Sequence, residues 1–317
     1  MIDKNFTTIE QQIDILKKRG LKFGSEETAS SLLLRFGYYN IINGYKDPYI
    51  TVINDNEKYK DNVTFEQIYS LYSLDRAIRN EVMNSLLEFE DNLRAILSYV
   101  LGSNFSADEK IYLNRHNFNL GKKKKGKYPL DDILRKFNNI HNDELQPFKH
   151  YRETYNNLPP WILLKGASFG NLVNFIKLQK TDIKNEIISL TYNIPKILVA
   201  SFPKIKELFS DTIFVALDYR NRAAHGGRIY NFRSKSKFRF NNILHDSAGI
   251  TSADYRNCKG DTGLPILIES LKFCENLAPY HNLVSAISYF SNKHLEKFPE
   301  DITFLNEHLH CKKYMNI

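Results

Sequence analysis

The chain has 317 residues, of which 42% are hydrophobic, 13% aromatic and 25% charged, a composition that excludes a largely disordered protein. Its formal net charge of +8 favours polyanionic partners. No apolar run approaches the roughly 20 residues of a membrane-spanning helix, and the polar N-terminus lacks a signal-peptide core. The three cysteines are widely separated and indicate neither disulfides nor a zinc site, so we expect a cytoplasmic protein.

Two short amphipathic helices are expected near the N-terminus. The first covers Thr7–Lys18, and the second covers Ser25–Phe36 with Ser25 as its cap. The next segment, FGYYNIINGYKDPY (Phe36–Tyr49), is rich in tyrosine, glycine and asparagine, which favours a packed turn over a helix.

One long helix is the clearest element of the sequence. Thr64 and Gln67 form the pattern of a capping box, and no glycine or proline follows until Gly102. Its apolar residues recur every three or four positions, at Leu71, Leu74, Ile78, Val82, Leu86, Phe89, Leu93, Leu97 and Val100. We expect its polar face to carry two oppositely charged pairs four residues apart, Asp75 with Arg79 and Glu90 with Arg94.

A polar, basic insertion is expected near residues 103–160, containing the run GKKKKGK at Gly121–Lys127 and ending at the prolines of LPPW. Helical periodicity then resumes and continues to Leu217, and it returns over Leu264–His294. We therefore predict an N-terminal helical segment, residues 1–60, packed on a helical domain of residues 61–317.

A basic stretch with interleaved aromatic residues covers Tyr219–His245, which contains seven arginines and lysines and no acidic residue. One interpretation is single-stranded RNA binding, in which the cations bind phosphates and the aromatic rings stack on bases. The other, which is compatible with the first, is a basic β-hairpin whose aromatic rings face the core. The run of lysines likewise fits either RNA binding or a solvated loop. The candidate RNA-binding residues are Arg222, Arg228, Tyr230, Arg233, Lys235, Lys237, Arg239, Lys122, Lys123, Lys124 and Lys125.

The segment DYRNRAAHGGRIYN (Asp218–Asn231) carries the candidate catalytic residues Arg220, Asn221 and His225. Two glycines after His225 predict the end of a helix, which places Asn221 and His225 four residues apart on one face. A histidine can move protons near neutral pH, and an arginine can bind a phosphate bidentately. This combination suits attack of a ribose 2′-hydroxyl on the adjacent phosphate, without a metal ion or other cofactor.

Two observations keep other interpretations of this segment open. Cations also favour the C-terminus of a helix for purely structural reasons. The loose spacing of arginine and histidine recurs at Arg135 to His141 and at Arg239 to His245. A nucleotide-modifying enzyme is not favoured, because the sequence has no glycine-rich phosphate loop and no clustered metal carboxylates.

Five segments of the chain, in order, form a recognisable set: IEQQIDILKKRGLKF (Ile9–Phe23), GYYNIINGY (Gly37–Tyr45), LYSLDRAIRNEVMNSLLEFEDNLRAIL (Leu71–Leu97), LPPWILLKGASFGNLVNFIKL (Leu158–Leu178) and YRNRAAHGGRIYN (Tyr219–Asn231). Together they resemble the Abi-like abortive-infection proteins of the AbiD and AbiF type, which belong to the HEPN superfamily. The resemblance implies an all-α, HEPN-type bundle with additional helices and a small basic hairpin or loop insertion.

The resemblance also implies a function. It is that of an antiphage, toxin-like endoribonuclease, composite across a homodimer, with Arg220, Asn221 and His225 in its site and a small structured RNA as regulator. Glu88, Glu90 and Arg94 match the long-helix pattern, and we expect a structural role for them. The alternative is a non-catalytic RNA-binding or scaffold protein, in which Arg220 and His225 bind RNA or pack the dimer.

Overall fold

The computed structural model describes residues 6–53, 56–123 and 125–315, and it is mostly helical with one small hairpin, as expected. The first helices are α1 (Ile9–Lys18), α2 (Glu26–Phe36), α3 (Phe65–Asn104), α4 (Glu109–Tyr112), α5 (Pro129–His141), α6 (Phe148–Tyr155), α7 (Pro160–Leu163), α8 (Phe169–Leu178) and α9 (Thr181–Tyr192). The others are α10 (Lys196–Ser201), α11 (Pro203–Ala224), α12 (Asn242–Ser247), α13 (Ser252–Arg256), α14 (Leu264–Leu271), α15 (Ala278–Leu295), α16 (Ile302–Leu309) and α17 (Cys311–Tyr314).

The hairpin does not lie in the basic stretch. Its strands are β1 (Ile50–Ile53) and β2 (Asn56–Tyr59), which are antiparallel. Residues 232–241 instead form an irregular loop, because their backbone N–H groups bond elsewhere. Those of Ser236 and Arg239 donate to aspartates on α11, and that of Phe238 donates to the Asp261 carbonyl. Of the two forms expected for the small basic insertion, a hairpin or a loop, residues 232–241 therefore adopt the loop.

The N-terminal helices agree with the sequence analysis. Thr8 forms a capping box at the start of α1, and Ser25 caps α2 by accepting from Thr28 N–H. The tyrosine-rich segment is more regular than expected, since it contains a five-residue π-helix at Tyr39–Asn43 and a short 3-10 helix at Asp47–Tyr49.

The long helix, α3, has 40 residues, and every apolar position of its predicted stripe is buried. The prediction for its charged pairs needs a correction. The carboxylates of Asp75 and Glu90 are buried rather than exposed on a polar face, and each has a partner outside α3 as well as its arginine: Asp75 accepts from Ile229 N–H, and Glu90 forms an ion pair with Arg220. The capping box is half formed, since Gln67 N–H donates to Thr64 Oγ1 while the Gln67 side chain donates to Glu300 and Asp301.

Two regions contain more structure than their sequence predicted. The expected insertion at residues 103–160 includes α5 and α6, whose apolar residues Ile133, Phe137 and Phe148 are buried. The periodic segment after Leu264 is two helices, α14 and α15, rather than one. Residues 272–277 separate them, and the Asn276 side chain accepts from Ala278 N–H at the start of α15.

Contacts divide the chain into two compact units. Unit 1 comprises the described residues of Met1–Glu81, Gly226–Asn231 and Ser285–Ile317, and within it α1 packs on α2 and α16 on α17. Unit 2 comprises those of Val82–His225 and Phe232–Val284, and within it α11 packs against α8, α9 and α14. The two predicted domains, residues 1–60 and 61–317, stay a prediction. None of the helices in the described part of the chain has the length and hydropathy that spanning a membrane requires.

Candidate functional site

The end of α11 positions the three candidate catalytic residues. Tyr219 is fully buried, and its hydroxyl donates to the Phe232 carbonyl at 2.6 Å, which fixes the rotation of the last turns. The helix ends at Ala224 with His225 as its C-cap. Gly226 follows with φ +69°, a left-handed conformation that suits glycine after a helix. The predicted helix end is confirmed.

Arg220 is held by a buried carboxylate of α3. Its Nε lies 3.4 Å from Glu90 Oε2, close enough for an ion pair although the geometry is not that of a hydrogen bond. The other oxygen of Glu90 accepts from Arg94 Nη2 at 2.5 Å. Glu90 is only 3% exposed, so this carboxylate is shared between two arginines in a largely dry environment.

Arg94 also binds the segment that precedes α8. Its Nε donates to the Leu164 carbonyl at 2.9 Å, and Nη2 lies 3.3 Å from the Ala167 carbonyl. Glu88 accepts from the Asn276 amide at 3.0 Å. All three acidic and basic residues of the long-helix pattern therefore have internal partners, which fits the structural role expected for them.

Asn221 and His225 are both exposed, and their side chains have no hydrogen-bond or ion-pair partner among the described residues. The two other histidines with similar arginine spacing differ from His225. His141 Nδ1 lies 2.8 Å from Glu109 Oε2. His245 is fully buried, with its ring nitrogens 2.9 and 3.0 Å from the carbonyls of Asn241 and Gly260. Of these three histidines, only His225 is exposed with no side-chain partner among the described residues.

Within unit 1, Asp75 holds the segment that follows the two glycines. Its Oδ1 accepts from the N–H groups of Ile229 and Tyr230 at 2.9 and 2.6 Å, and its Oδ2 accepts from Tyr45 Oη at 2.5 Å. Arg79 reinforces this arrangement by donating to the Gly226 carbonyl at 3.1 Å. Burial raises the pKa of Asp75, while the hydrogen bonds from Tyr45 and the two N–H groups act in the opposite direction.

Two of the candidate RNA-binding residues are used internally in unit 1. Arg228 donates to the Gly44 carbonyl and lies 3.5 Å from Asp47 Oδ2. Tyr230 is 2% exposed, and its ring stacks on that of Tyr45 at 6.0 Å between centroids. The Tyr230 ring is therefore not available to a nucleobase in this structure.

The basic stretch is partly neutralised by aspartates from other parts of unit 2. Asp261 lies 2.8 Å from Lys237 and 3.6 Å from Arg233, and Asp211 pairs with Arg239 at 2.9 Å. Phe238, which alternates with these cations, is 1% exposed. The interpretation in which aromatic rings face the core is thus realised for Phe238, and much of the positive charge has an internal partner.

The remaining candidate cations that the structure describes are exposed. They include Lys122, Lys125 and Lys235. Lys123 lies over the Tyr128 ring at 5.4 Å, and the exposed Arg222 lies over the Phe232 ring at 5.2 Å. Lys124, the other lysine of the run, lies outside the described residues.

The sequence did not predict the organising roles of Asp75, Asp211 and Asp261. Asp75 had a detectable signal, because it lies four residues after Leu71 and so falls on the apolar stripe of α3. The other two pair across long sequence separations, which a single sequence does not reveal. Among the described residues, no group of three or more histidine, cysteine or acidic side chains is arranged to hold a metal ion.

A family model described as Abi-like protein matches residues 31–231. The match covers more than half of the chain, and the chain therefore belongs to the Abi-like family of abortive-infection proteins. The matched region includes the tyrosine-rich segment, α3, and the end of α11 with Arg220, Asn221 and His225. No curated protein and no solved structure matches the chain.

Proposed function

We propose that this chain is an antiphage endoribonuclease that cleaves RNA without a metal ion, with Arg220, Asn221 and His225 as its catalytic residues. The observation that supports the proposal is the exposure of two polar side chains at the end of α11. Asn221 and His225 are exposed there, and their side chains have no partner in the part of the chain that the structure describes, while Glu90 restrains the adjacent Arg220. A site that must accept a substrate needs groups that are positioned but not already consumed by internal contacts.

Each residue has a defined role in the proposed reaction. His225 removes the proton of a ribose 2′-hydroxyl, or protonates the leaving 5′-oxygen, as a general base or acid. Arg220 binds the scissile phosphate and stabilises the charge that develops on it. Asn221, one helical turn before His225, orients the imidazole or the phosphate through its amide. The products are a 2′,3′-cyclic phosphate and a 5′-hydroxyl.

The active species in this proposal is a homodimer. One histidine is insufficient to act as base and acid in the same step, and a two-fold axis supplies a second copy. The exposed position of His225 is compatible with such an arrangement.

A structured RNA is the proposed regulator, and the exposed cations are its proposed contacts. Lys122, Lys123, Lys125 and Lys235 have no carboxylate partner among the described residues, in contrast to Arg233, Lys237 and Arg239. Cations that are not neutralised internally contribute most to phosphate binding.

A non-catalytic RNA-binding protein is the second candidate, and one observation favours it. The ion pair between Arg220 and Glu90 must be weakened before Arg220 can bind a phosphate fully. In that case Arg220 is a packing residue, and Asn221 and His225 are surface contacts for RNA.

The test is incubation of the purified chain with total RNA in EDTA, after co-purifying nucleic acid has been identified and removed. We expect the wild type to cut RNA and His225→Ala to lose about 100-fold or more of the rate. His281→Ala is the matched control, because His281 is also an exposed histidine on a helix of unit 2. If the wild type retains RNA but leaves it intact, the non-catalytic candidate is the better account.

A further inference from the structure

Unit 1 contains a cavity of about 450 Å³ that the proposed RNA chemistry does not use. Its walls come from α2, α3 and α15 and are largely apolar, with Leu32, Phe65, Leu74 and Phe290 among the lining residues. Its charged lining residues are Lys293 and Lys297, which are exposed, and Glu66, which is half-buried. A cavity of this size with apolar walls and cationic groups at its edge suits a small amphipathic molecule.

Three polar residues form a hydrogen-bonded chain that reaches this cavity. Ser70 and His294 both line it, and Ser70 Oγ lies 2.9 Å from His294 Nδ1. On the other side of the imidazole, His294 Nε2 lies 2.9 Å from Asp301 Oδ2. His294 and Asp301 are 2% and 3% exposed, whereas Ser70 is half-buried. A hydroxyl, an imidazole and a carboxylate in this order are the arrangement that activates a serine nucleophile.

The surroundings of Asp301 determine the direction of these hydrogen bonds. Gln67 donates to its Oδ1 at 2.9 Å, and Tyr49 donates to its Oδ2 at 2.6 Å. Burial and the neighbouring Asp301 raise the pKa of Tyr49, so its hydroxyl keeps the proton that it donates. Surrounded by donors, Asp301 accepts from His294 Nε2–H. In a neutral imidazole with its proton on Nε2, the Nδ1 atom carries the lone pair and is the acceptor for the Ser70 hydroxyl.

We propose that Ser70, His294 and Asp301 form a second site, separate from the RNA chemistry, which hydrolyses esters with an apolar acyl chain. Ser70 is the nucleophile, His294 is the base, and Asp301 is the positioning residue that fixes the tautomer of His294. The apolar cavity holds the acyl chain, and the two lysines that line the same cavity supply positive charge for the carbonyl oxygen as it becomes an anion.

The reaction has two balanced steps. Ser70 Oγ forms a bond to the ester carbonyl carbon while its proton moves to His294 Nδ1, and that proton then leaves with the alcohol as the ester C–O bond breaks. Water next attacks the acyl–Ser70 ester, again with His294 as the base. The acid is released and Ser70 recovers its proton. The net reaction is ester plus water to acid plus alcohol, and it needs no further reactant.

Ser73 provides a matched control for Ser70. It lies one turn further along α3, is half-buried like Ser70, and has no histidine partner among the described side chains. If reactivity comes from the chain of hydrogen bonds, only Ser70 will react. If it comes from local exposure of helix serines, both will.

The experiment treats the purified full-length chain with an alkyl fluorophosphonate that carries an eight-carbon chain, followed by peptide mass spectrometry. We expect an adduct on Ser70 that persists in Ser73→Ala and is absent in Ser70→Ala. Hydrolysis of p-nitrophenyl octanoate should fall about 100-fold in His294→Gln, with the melting temperature recorded for each variant. Octanoate esters should react faster than acetate esters, because the cavity is apolar.

Three results would overturn the proposal. They are absence of an adduct on the folded wild type, equal labelling of Ser70 and Ser73, and octanoate hydrolysis that is unchanged in Ser70→Ala. If Ser70→Ala neither folds nor takes up the probe, Ser70→Thr is the variant to test, since it keeps the hydroxyl. A folded Ser70→Thr chain that takes up the probe at residue 70 supports the site, and one that does not contradicts it.

Discussion

Buried carboxylates on α3 organise the residues around the family signature. Glu90 lies between Arg94 and Arg220, and Asp75 accepts hydrogen bonds from Tyr45 and from two N–H groups of the loop after Gly226. A buried carboxylate is costly unless donors surround it, so each of these sites depends on its full set of partners. Removing the carboxylate leaves buried donors without acceptors, which is more damaging than the loss of one bond.

Asp75→Ala should lower the free energy of unfolding by about 3 kcal/mol, because the N–H groups of Ile229 and Tyr230 and the Tyr45 hydroxyl lose their acceptor. Urea denaturation measures the change. Asp132→Ala is the control, since Asp132 is an exposed helix residue that pairs with surface cations, and its change should stay below about 1 kcal/mol. Equal effects for the two variants would show that Asp75 has no organising role.

Residue spacing could predict that Asn221 and His225 share a helix face, because four residues make about one helical turn. It could not predict that Arg220 is paired with Glu90, since the two lie 130 positions apart in the chain. The burial of Asp75 could have been read from its place on the apolar stripe, yet its partners in the loop could not. Long-range pairing is what the sequence alone leaves open.

At the scale of elements, the end of α11 and the glycine after it define the proposed site. His225 is the C-cap, and Gly226 turns the chain with φ +69°. A Cβ at Gly226 would meet no atom within 4 Å, so the space around it imposes no further restriction. The glycine is needed there for its backbone conformation alone.

Gly226→Ala should therefore lower the free energy of unfolding by about 1 kcal/mol, which is the cost of a left-handed conformation for alanine. Gly44→Ala serves as a comparison, because Gly44 has φ −71° and a Cβ there would only touch the Tyr39 carbonyl at 3.8 Å. Thermal unfolding of both variants measures the difference. A Gly226→Ala protein as stable as the wild type would mean that the helix end is not fixed as described.

Helices with strong periodicity, such as α3, could be predicted because each apolar position reports directly on burial. The loop at residues 232–241 could not be distinguished from a hairpin by the same logic. Its alternation of aromatic and basic residues is real, but its N–H groups bond to aspartates of α11 and to a carbonyl at Asp261. Alternation of aromatic and basic residues indicates which side chains face inward. It does not identify the acceptors to which the backbone N–H groups donate.

Across the whole molecule, which has a net charge of +8, the cations differ in whether a carboxylate already pairs with them. Arg239 and Lys237 are paired with Asp211 and Asp261, while Lys122 and Lys125 are exposed and have no carboxylate partner among the residues described. RNA affinity should depend on the second group, because only phosphate contacts that release counterions contribute to the salt dependence of binding.

Binding to a 2′-O-methyl RNA, which lacks the attacking hydroxyl, should weaken steeply as salt rises. Replacing Lys122, Lys123 and Lys125 by alanine should make the logarithmic salt slope shallower by about 0.7 for each phosphate contact that is lost. Fluorescence anisotropy at several salt concentrations measures the slope. Arg239→Ala, which removes a cation already paired, should change it little, and a larger effect there than in the lysine variant would contradict this assignment.

The most direct test of the central claim is the chemistry of the RNA ends. The purified chain is incubated with an RNA of defined sequence in EDTA, and the termini of the products are identified by mass spectrometry. The wild type and His281→Ala should produce 2′,3′-cyclic phosphate and 5′-hydroxyl ends, whereas His225→Ala should leave the RNA uncut. Products with 5′-phosphate ends, or identical cleavage by His225→Ala, would show that these residues do not perform the proposed reaction.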